Sequence, residues 1–246
     1  MRYLVLSDIH GNWEALEAVL EHLRNQYDRV LCCGDLVGYG ADPNRVVDWV
    51  RANAFAVVRG NHDKACAGLD DLEWFNPVAR AAAEWTGRSL TPENLDYLRA
   101  LPRGPLPVDS FQILHGSPLD EDDYLVSSFS VSQICGYLEK QVSIFGHTHL
   151  QGGFLCHRNG VKRIDKPRPG EIGLVLQLEP DVWYLINPGS VGQPRDGDAR
   201  AACAIYDPAE RLVDYRRIPY DIGGAKAKIV AAGLPDALAA RLDMGT

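Results

Sequence analysis

The sequence lacks any long hydrophobic run. Its apolar N-terminal stretch, MRYLVLSDIHG, is interrupted at Asp8. A membrane-spanning helix needs about 20 predominantly apolar residues, and a signal peptide needs an apolar core of about 7–15 residues that precedes a cleavage site. The sequence therefore predicts neither element, and it predicts a cytoplasmic protein with no membrane partner.

The sequence also lacks a surplus of positive charge and any low-complexity or repeated segment. Among 246 residues, 25 Lys and Arg stand against 33 Asp and Glu, which gives a net charge of −8. This balance disfavours long nucleic acid as the main partner, because neutralising phosphates requires Lys and Arg, although a local basic groove remains compatible with it. The length and the 46% apolar content predict a single domain over residues 1–246 that folds without a disulfide or a structural metal.

No Cys-x-x-Cys pair is present. The six cysteines are Cys32, Cys33, Cys66, Cys135, Cys156 and Cys203. Cys32 and Cys33 are neighbours inside an apolar run, which is typical of packing residues. The sequence therefore predicts that all six are reduced side chains of a cytosolic protein.

The first part of the chain alternates between two kinds of pattern. Short apolar runs at 3–7, 29–35 and 55–60 predict buried strands, and helical patterns cover 12–26 and 42–51. This β-α-β-α-β order predicts a parallel sheet with right-handed crossovers.

The middle of the chain is predicted to be a helical insertion at 64–110. Asn76-Pro77 and Thr91-Pro92 each place a capping residue before a proline, which predicts helices over 77–89 and 92–100. Beyond the insertion the predicted elements are buried strands at 110–116 and 142–149, a hairpin about Asn159-Gly160, two antiparallel pairs with turns at 179–181 and 207–210, and a C-terminal helical segment at 222–246. Together these elements predict an α/β protein with two sheets.

Metal-ligand residue types follow several of the predicted strands. They are Asp8 and His10 in SDIHG, Asp35 in GDLVG, Asn61, His62 and Asp63 in GNHD, His115 in ILHGSP, and His147 and His149 in GHTH. Taken singly, each is compatible with a turn, a cap or a core histidine. Because ligands bind beyond the carboxyl ends of strands in open α/β sheets, the combination predicts that these side chains converge on one cleft.

In this order, the motifs D-x-H, G-D, G-N-H-D, H-G and G-H-T-H resemble those of the calcineurin-like metallophosphoesterase superfamily, especially its compact bacterial and archaeal phosphodiesterase branch. The similarity covers residues 1 to about 207 and includes the loop INPGSVGQPRDGDAR at 186–200. It implies a two-sheet β-sandwich flanked by helices. It also implies a metal-dependent hydrolase of phosphate esters. We expect its substrates to be phosphodiesters, a small nucleotide or another phosphorylated metabolite.

The resemblance implies two divalent transition-metal ions. One would be bound by Asp8, His10 and His149, the other by Asn61, His115 and His147, and Asp35 would bridge both. A hydroxide between the ions would be the nucleophile, because metal binding lowers the pKa of water from about 15.7 towards about 7. Imidazole, carboxylate and amide ligands suit Mn, Fe, Zn, Co or Ni and disfavour Mg²⁺ and Ca²⁺.

Three further residues are predicted to act around the implied centre. His62 is not in the implied ligand set, and in the family this position acts on the leaving group, where general acid catalysis contributes about 10²–10⁴-fold. Asp63 is predicted either to orient the His62 imidazole or to start a helix. Arg195 is predicted either to bind a substrate phosphate or to be a solvated residue of a structural turn.

Other polar and aromatic residues have plainer predicted roles. Trp74, Phe75 and Asn76 are expected to pack the insertion, although they could also line the cleft. The DEDD segment at 120–123 is expected to be a solvated acidic loop rather than a third metal site. Tyr39 is expected to anchor a loop.

Three alternative functions are compatible with the same motifs. A protein phosphatase or a nuclease would use the same centre, and a non-catalytic scaffold would keep the fold without turnover. A scaffold is expected to lose the position of His62 or several ligand positions, and none is lost here. The favoured partner is therefore a small phosphorylated substrate.

Overall fold

Two mixed β-sheets of six strands each form the centre of the fold. The computed structural model describes residues 1–168 and 170–246. In spatial order, with strand numbers following the chain, the first sheet is β3 (Ala54–Val57), β2 (Arg29–Cys32), β1 (Tyr3–Leu6), β11 (Ala201–Asp207), β12 (Leu212–Ile218) and β9 (Gly173–Gln177). The second is β4 (Leu106–Val108), β5 (Phe111–Ile113), β6 (Val142–Ile144), β10 (Trp183–Asn187), β7 (Gly152–His157) and β8 (Gly160–Ile164).

Helices flank the two sheets. They are α1 (Trp13–His22), α2 (Pro43–Asn53), α3 (Asn61–Cys66), α4 (Pro77–Ser89), α5 (Pro92–Ala100), α6 (Ser128–Ile134), α7 (Ile222–Ala231) and α8 (Asp236–Met244). The predicted bounds of α4 and α5 are confirmed, because the Asn76 side chain accepts hydrogen bonds at the start of α4 and the Thr91 side chain does so at the start of α5. Helix α1 is shorter than predicted and ends at His22.

The sandwich interior explains why the early strands read as continuous apolar runs. Tyr3 and Val5 of β1 pack between the two sheets, whereas Leu4 and Leu6 pack against the helices on the outer face. A strand covered on both faces needs apolar residues at every position. The predicted parallel pairing of β1 with β2 and of β2 with β3 is confirmed.

The hairpin predictions have mixed outcomes. The β7–β8 and β11–β12 hairpins are confirmed. The pairing predicted across 179–181 is wrong, because β9 pairs with β12 in the first sheet and β10 lies between β6 and β7 in the second. Leu178 and Val182, on either side of this turn, are buried between the sheets, so the segment crosses the sandwich instead of folding back on itself.

The prediction that all six cysteines are reduced is wrong. Cys135, after α6, and Cys156, on β7, form a disulfide, and the other four cysteines are buried free thiols. The partners are 21 residues apart in sequence, and only the packing of α6 on the second sheet brings their Cα atoms to 6.5 Å. The cysteines therefore no longer support a cytoplasmic location. Within the described ranges, no helix is both long enough and apolar enough to span a membrane.

Candidate metal centre

The predicted site residues lie together where parallel strands of both sheets end. Asp8 and His10 follow β1, Asp35 follows β2, Asn61 begins α3 after β3, His115 follows β5, and His147 and His149 follow β6. Since β1, β2 and β3 are parallel to one another and β5 is parallel to β6, their carboxyl ends deliver these side chains to one edge of the sandwich.

Five of these residues have a left-handed backbone. Their φ values are +52° at Asp8, +51° at His10, +54° at Asp35, +66° at His147 and +59° at His149. A residue other than glycine held in this region costs about 1–3 kcal/mol, and such residues cluster at functional sites. The loops after β1, β2 and β6 therefore place these side chains at the cost of an unfavourable backbone conformation.

The side chains form two overlapping groups of donor atoms. The first is Asp8, His10, Asp35 and His149, and the second is Asp35, His115 and His147; within each group the donor atoms lie within 4.8 Å of one another. Asp35 belongs to both groups, since its Oδ2 is 3.6 Å from Nε2 of His10 and 3.5 Å from Nε2 of His115. Oδ1 of Asn61 is 3.3 Å from the same nitrogen of His115, so Asn61 lies beside the second group.

Backbone carbonyls fix the orientation of the four histidine rings. The contacts are His10 Nδ1 to Val37 O (2.9 Å), His115 Nδ1 to Cys33 O (2.7 Å), His149 Nδ1 to Gln193 O (2.6 Å) and His147 Nε2 to Asp122 O (3.1 Å). A carbonyl oxygen can only accept, so each contacting nitrogen carries a proton. Nε2 of His10, His115 and His149 then faces the cluster, and Nδ1 is the nitrogen left to His147. This is the arrangement by which proteins orient metal-binding histidines.

The first group contains a contact that fits a bound cation. Nε2 of His10 and Nε2 of His149 lie 3.0 Å apart, although each ring already donates its Nδ1 proton to a carbonyl. Burial lowers the pKa of His10 well below its usual range, so its Nε2 is an unprotonated acceptor at neutral pH. A divalent ion between the two nitrogens would bind both, and the imidazole and carboxylate donors suit transition metals.

The charges of the metal-free centre also fit a cation. Burial opposes ionisation of Asp8 and by itself would raise its pKa. The charge of His149 and its hydrogen bond to Asp8 outweigh burial and lower the pKa of Asp8 to about 2. For His115, burial opposes protonation, but the charge of Asp35 prevails and raises its pKa to about 10. His115 therefore holds a proton that it must lose to act as a ligand.

Gly60 lets the loop after β3 approach the shared carboxylate. A Cβ atom at this position would lie 2.5 Å from the backbone nitrogen of Asp35 and 2.7 Å from its Cγ. Any side chain here would displace Asp35, so the glycine is required by close approach.

The predicted contact between Asp63 and the imidazole of His62 is absent, and that interpretation is wrong. Oδ1 of Asp63 accepts from the backbone N–H groups of Leu36 (2.8 Å) and Val37 (3.2 Å), and Oδ2 accepts from that of Gly60 (3.0 Å). Nδ1 of His62 has no hydrogen-bond partner among the described residues. Asp63 instead holds the start of α3 against the loop after β2, which matches the alternative of a helix-starting residue.

The ring of His62 is buried among aromatic side chains beside the first group. Its centroid lies 4.4 Å from that of Tyr39, 5.0 Å from that of Phe75 and 4.9 Å from that of His10. Its backbone N–H donates to Oδ1 of Asp35 at 2.9 Å. His62 is thus fixed next to the shared carboxylate without being part of either donor group.

Burial also determines the protonation of His62. It lowers the pKa of His62 to about 4, against the opposing effect of Asp35 and with a contribution from Arg195. In the metal-free protein the imidazole is therefore neutral at neutral pH.

Arg195 extends across the two donor groups. Its Nη2 is 3.3 Å from the hydroxyl of Tyr39, whose ring lies against His10, and 3.3 Å from Oε1 of Gln193, and its guanidinium charge also acts on Tyr124. The ring of Tyr124 stacks on His147 with centroids 3.8 Å apart. Within the described ranges Arg195 forms no ion pair with a carboxylate, so its charge is available for an anion.

Two sequence-based expectations around the cleft are only partly confirmed. Phe75 packs against α4 of the insertion and Asn76 caps that helix, but the side chain of Trp74 is 91% exposed, and Phe75 also lies against His62. The segment at 120–123 is not simply solvated, because Glu121 is buried in an ion pair with Arg59. Tyr124 contributes to the cleft without any sequence signal, because a single tyrosine after an acidic segment has no distinctive pattern.

The sandwich and its buried His/Asp cluster together define a metal-dependent hydrolase that acts on phosphate esters. The chain belongs to the calcineurin-like phosphoesterase superfamily, since the family model of that superfamily's domain matches residues 1–211.

Relatives extend the similarity over the whole chain. A protein of Methanocaldococcus jannaschii, described only as uncharacterised, is 36% identical over 258 residues, which covers 98% of this chain and 97% of that protein. The crystal structure of a metallophosphoesterase from Sphaerobacter thermophilus has a TM-score of 0.86 at 36% identity and covers 100% of this chain and 99% of that one. A protein of Pyrococcus horikoshii shares the fold with a TM-score of 0.78 at 20% identity, covering 100% and 98%.

Proposed function

We propose that the protein is a dinuclear metal-dependent phosphoesterase that hydrolyses a small phosphorylated metabolite or nucleotide, with phosphodiesters among its substrates. The observation that carries this proposal is the position of Asp35 in both donor groups. Two dications about 3.5–4 Å apart repel each other and need a shared anionic ligand between them. The donor set supports Mn, Fe, Zn, Co or Ni.

In this proposal Asp8, His10 and His149 would hold one ion, Asn61, His115 and His147 would hold the other, and Asp35 would contribute to both. When bound, such ions polarise the phosphoryl group and make a water molecule acidic enough to attack it. The protein itself supplies the rest. Backbone carbonyls orient the ligand rings, Arg195 binds the phosphate, and His62 is the candidate proton donor to the leaving group.

The charge distribution supports a small substrate. Among the described residues, Arg195 is a cation beside the centre that pairs with no carboxylate, and the chain as a whole carries −8. One guanidinium matches a single phosphate group, whereas a long polyanion would need a row of cations. A scaffold role has less support, because the predicted ligand positions converge and His62 is retained beside them.

Metal removal tests the proposed function. We expect protein purified without chelator to hold two transition-metal ions per chain, to lose phosphate release when they are removed, and to regain it with Mn²⁺. The measurement is elemental analysis together with phosphate release from a metabolite library, 4-nitrophenyl phosphate and bis(4-nitrophenyl) phosphate. Two bound ions with no hydrolysis of any compound would favour the scaffold instead.

Replacing Arg195 with methionine is expected to raise KM for a phosphorylated substrate by about 10-fold or more, because a hydrogen bond to a charged group is worth about 1.5–3 kcal/mol. Metal content should not change, since Arg195 is outside both donor groups. Steady-state kinetics of the Mn²⁺ enzyme would measure this effect. Arg24→Met, at an exposed position, is the matched control, and an unchanged KM in Arg195→Met would show that Arg195 only stabilises its loop.

A further inference from the structure

One of the four histidine rings is oriented by a surface loop. The carbonyls that hold His10 and His115 belong to the buried segment after β2, and Gln193, which holds His149, is also buried. The ring of His147 instead donates to the carbonyl of Asp122 at 3.1 Å, in residues 117–124, which we call the acidic loop. The acidic loop has no regular secondary structure, so something else must hold this carbonyl in place.

Two cations from the loop after β3 and the start of α3 hold the acidic loop. Arg59 donates to Glu121 through two parallel contacts, Nη2 to Oε1 at 2.8 Å and Nε to Oε2 at 3.0 Å. Nζ of Lys64 is 2.6 Å from Oδ2 of Asp122 and 3.0 Å from a carboxylate oxygen of Asp70. Arg59 and Glu121 are 23% and 7% exposed, so solvent screens their pair less than an ordinary surface pair. Lys64 is 11% exposed, whereas its partner Asp122 is 45% exposed.

These two cations lie close in sequence to a residue of the second donor region. Arg59 and Lys64 flank Asn61, which lies beside His115 in the second donor group. The segment 59–64 therefore carries Asn61 beside the second donor group. It also contacts the acidic loop, which orients His147 of that group. Among the described residues, the rings of the first donor group, His10 and His149, are instead held by the carbonyls of Val37 and Gln193.

We propose that Lys64, supported by Arg59, is a positioning residue for the second metal position. Its ion pair with Asp122 fixes the Asp122 carbonyl, which keeps the proton of His147 on Nε2 and would leave Nδ1 as the nitrogen able to bind an ion. The inference rests on the proposed dinuclear function and adds a residue outside the ligand set to the centre.

Lys64→Met is expected to weaken binding of one of the two ions by about 10-fold or more, since outer-shell partners of metal ligands are typically worth 10–100-fold in affinity. Binding of the other ion should be unchanged, because the rings of His10 and His149 are held independently. Lys64→Arg should restore most of the affinity by keeping the charge. Asp122→Ala, which keeps the backbone carbonyl but removes the ion pair, should reproduce the loss.

Isothermal titration calorimetry of the metal-free full chain with Mn²⁺ measures these affinities without relying on turnover. The double variant Lys64→Met/Asp122→Ala should bind metal no more weakly than Lys64→Met alone, because Lys64→Met already removes the pair with Asp122. In the Co²⁺-loaded protein, the proton spectrum should show faster exchange of one histidine ring N–H in Lys64→Met. Lys226→Met, which removes an exposed pair with Asp243 on the C-terminal helices, is the control.

Equal weakening of both ions in Lys64→Met, or no change in either, would overturn the inference. If Lys64→Met does not fold, Asp122→Ala decides the question, because the Asp122 side chain is 45% exposed. Wild-type protein that binds a single ion would contradict the dinuclear proposal itself, and it would remove the basis of this inference before any variant is compared.

Discussion

Asp35→Asn is expected to eliminate binding of both metal ions at working concentrations and to lower kcat/KM by more than about 10³-fold, since even outer-shell partners are worth about 10–100-fold. Oδ2 of Asp35 faces both His10 (3.6 Å) and His115 (3.5 Å), so one substitution removes the shared anion from both positions. Asparagine has nearly the same shape and keeps an oxygen for the backbone N–H of His62. The loss would therefore report charge rather than packing.

Metal content by elemental analysis and kcat/KM with 4-nitrophenyl phosphate measure this effect. Asp42→Asn is the matched control, because Asp42 pairs with Lys228 and belongs to neither donor group. If Asp35→Asn kept two ions per chain, Asp35 would not be the shared ligand.

His62→Ala is expected to keep both ions and to lose about 10²–10⁴-fold in kcat for substrates with an alkyl leaving group, the usual contribution of a general acid. For a nitrophenyl leaving group, which departs without a proton, the loss should be small. In the metal-free protein burial lowers the pKa of His62 to about 4, so proton donation requires the charge of a bound phosphate to outweigh both burial and the ions. Turnover across a series of alkyl and phenyl phosphates would give the dependence on leaving-group acidity.

His22→Ala, on α1 and away from the centre, is the control for loss of a histidine. Phe75→Leu, which removes a neighbour of the ring but not the imidazole, tests whether packing alone matters. An equal loss for alkyl and nitrophenyl substrates in His62→Ala would contradict proton donation and leave His62 a role in orienting the phosphate.

Helix starts and strand order could be predicted from the sequence, because both depend on residues that are close together in the chain. The bounds of α4 and α5 follow from a capping side chain and a proline at each start. The convergence of Asp8, Asp35 and His115 could be predicted because parallel strands deliver their carboxyl ends to one edge.

The failures concern choices that only tertiary packing makes. Two apolar segments joined by a turn suit a hairpin or a crossing between sheets, and the shared core between the sheets decides for the crossing at 179–181. Asp63 could have faced either His62 or the backbone, and the buried N–H groups of Leu36 and Val37 after β2 donate to its carboxylate. The pairing of Cys135 with Cys156 and the burial of Glu121 likewise depend on contacts far apart in the chain.

The left-handed backbone at the predicted ligands lowers the stability of the fold in exchange for the position of their donor atoms. At Asp8, His10, Asp35, His147 and His149 glycine would suit the local φ better than the residue present, yet glycine would remove a donor atom. Relaxing these loops would therefore yield a more robust but inactive protein. Variants selected for thermal tolerance should gain it elsewhere, for example in the packing of α7 and α8, and should leave these five positions unchanged.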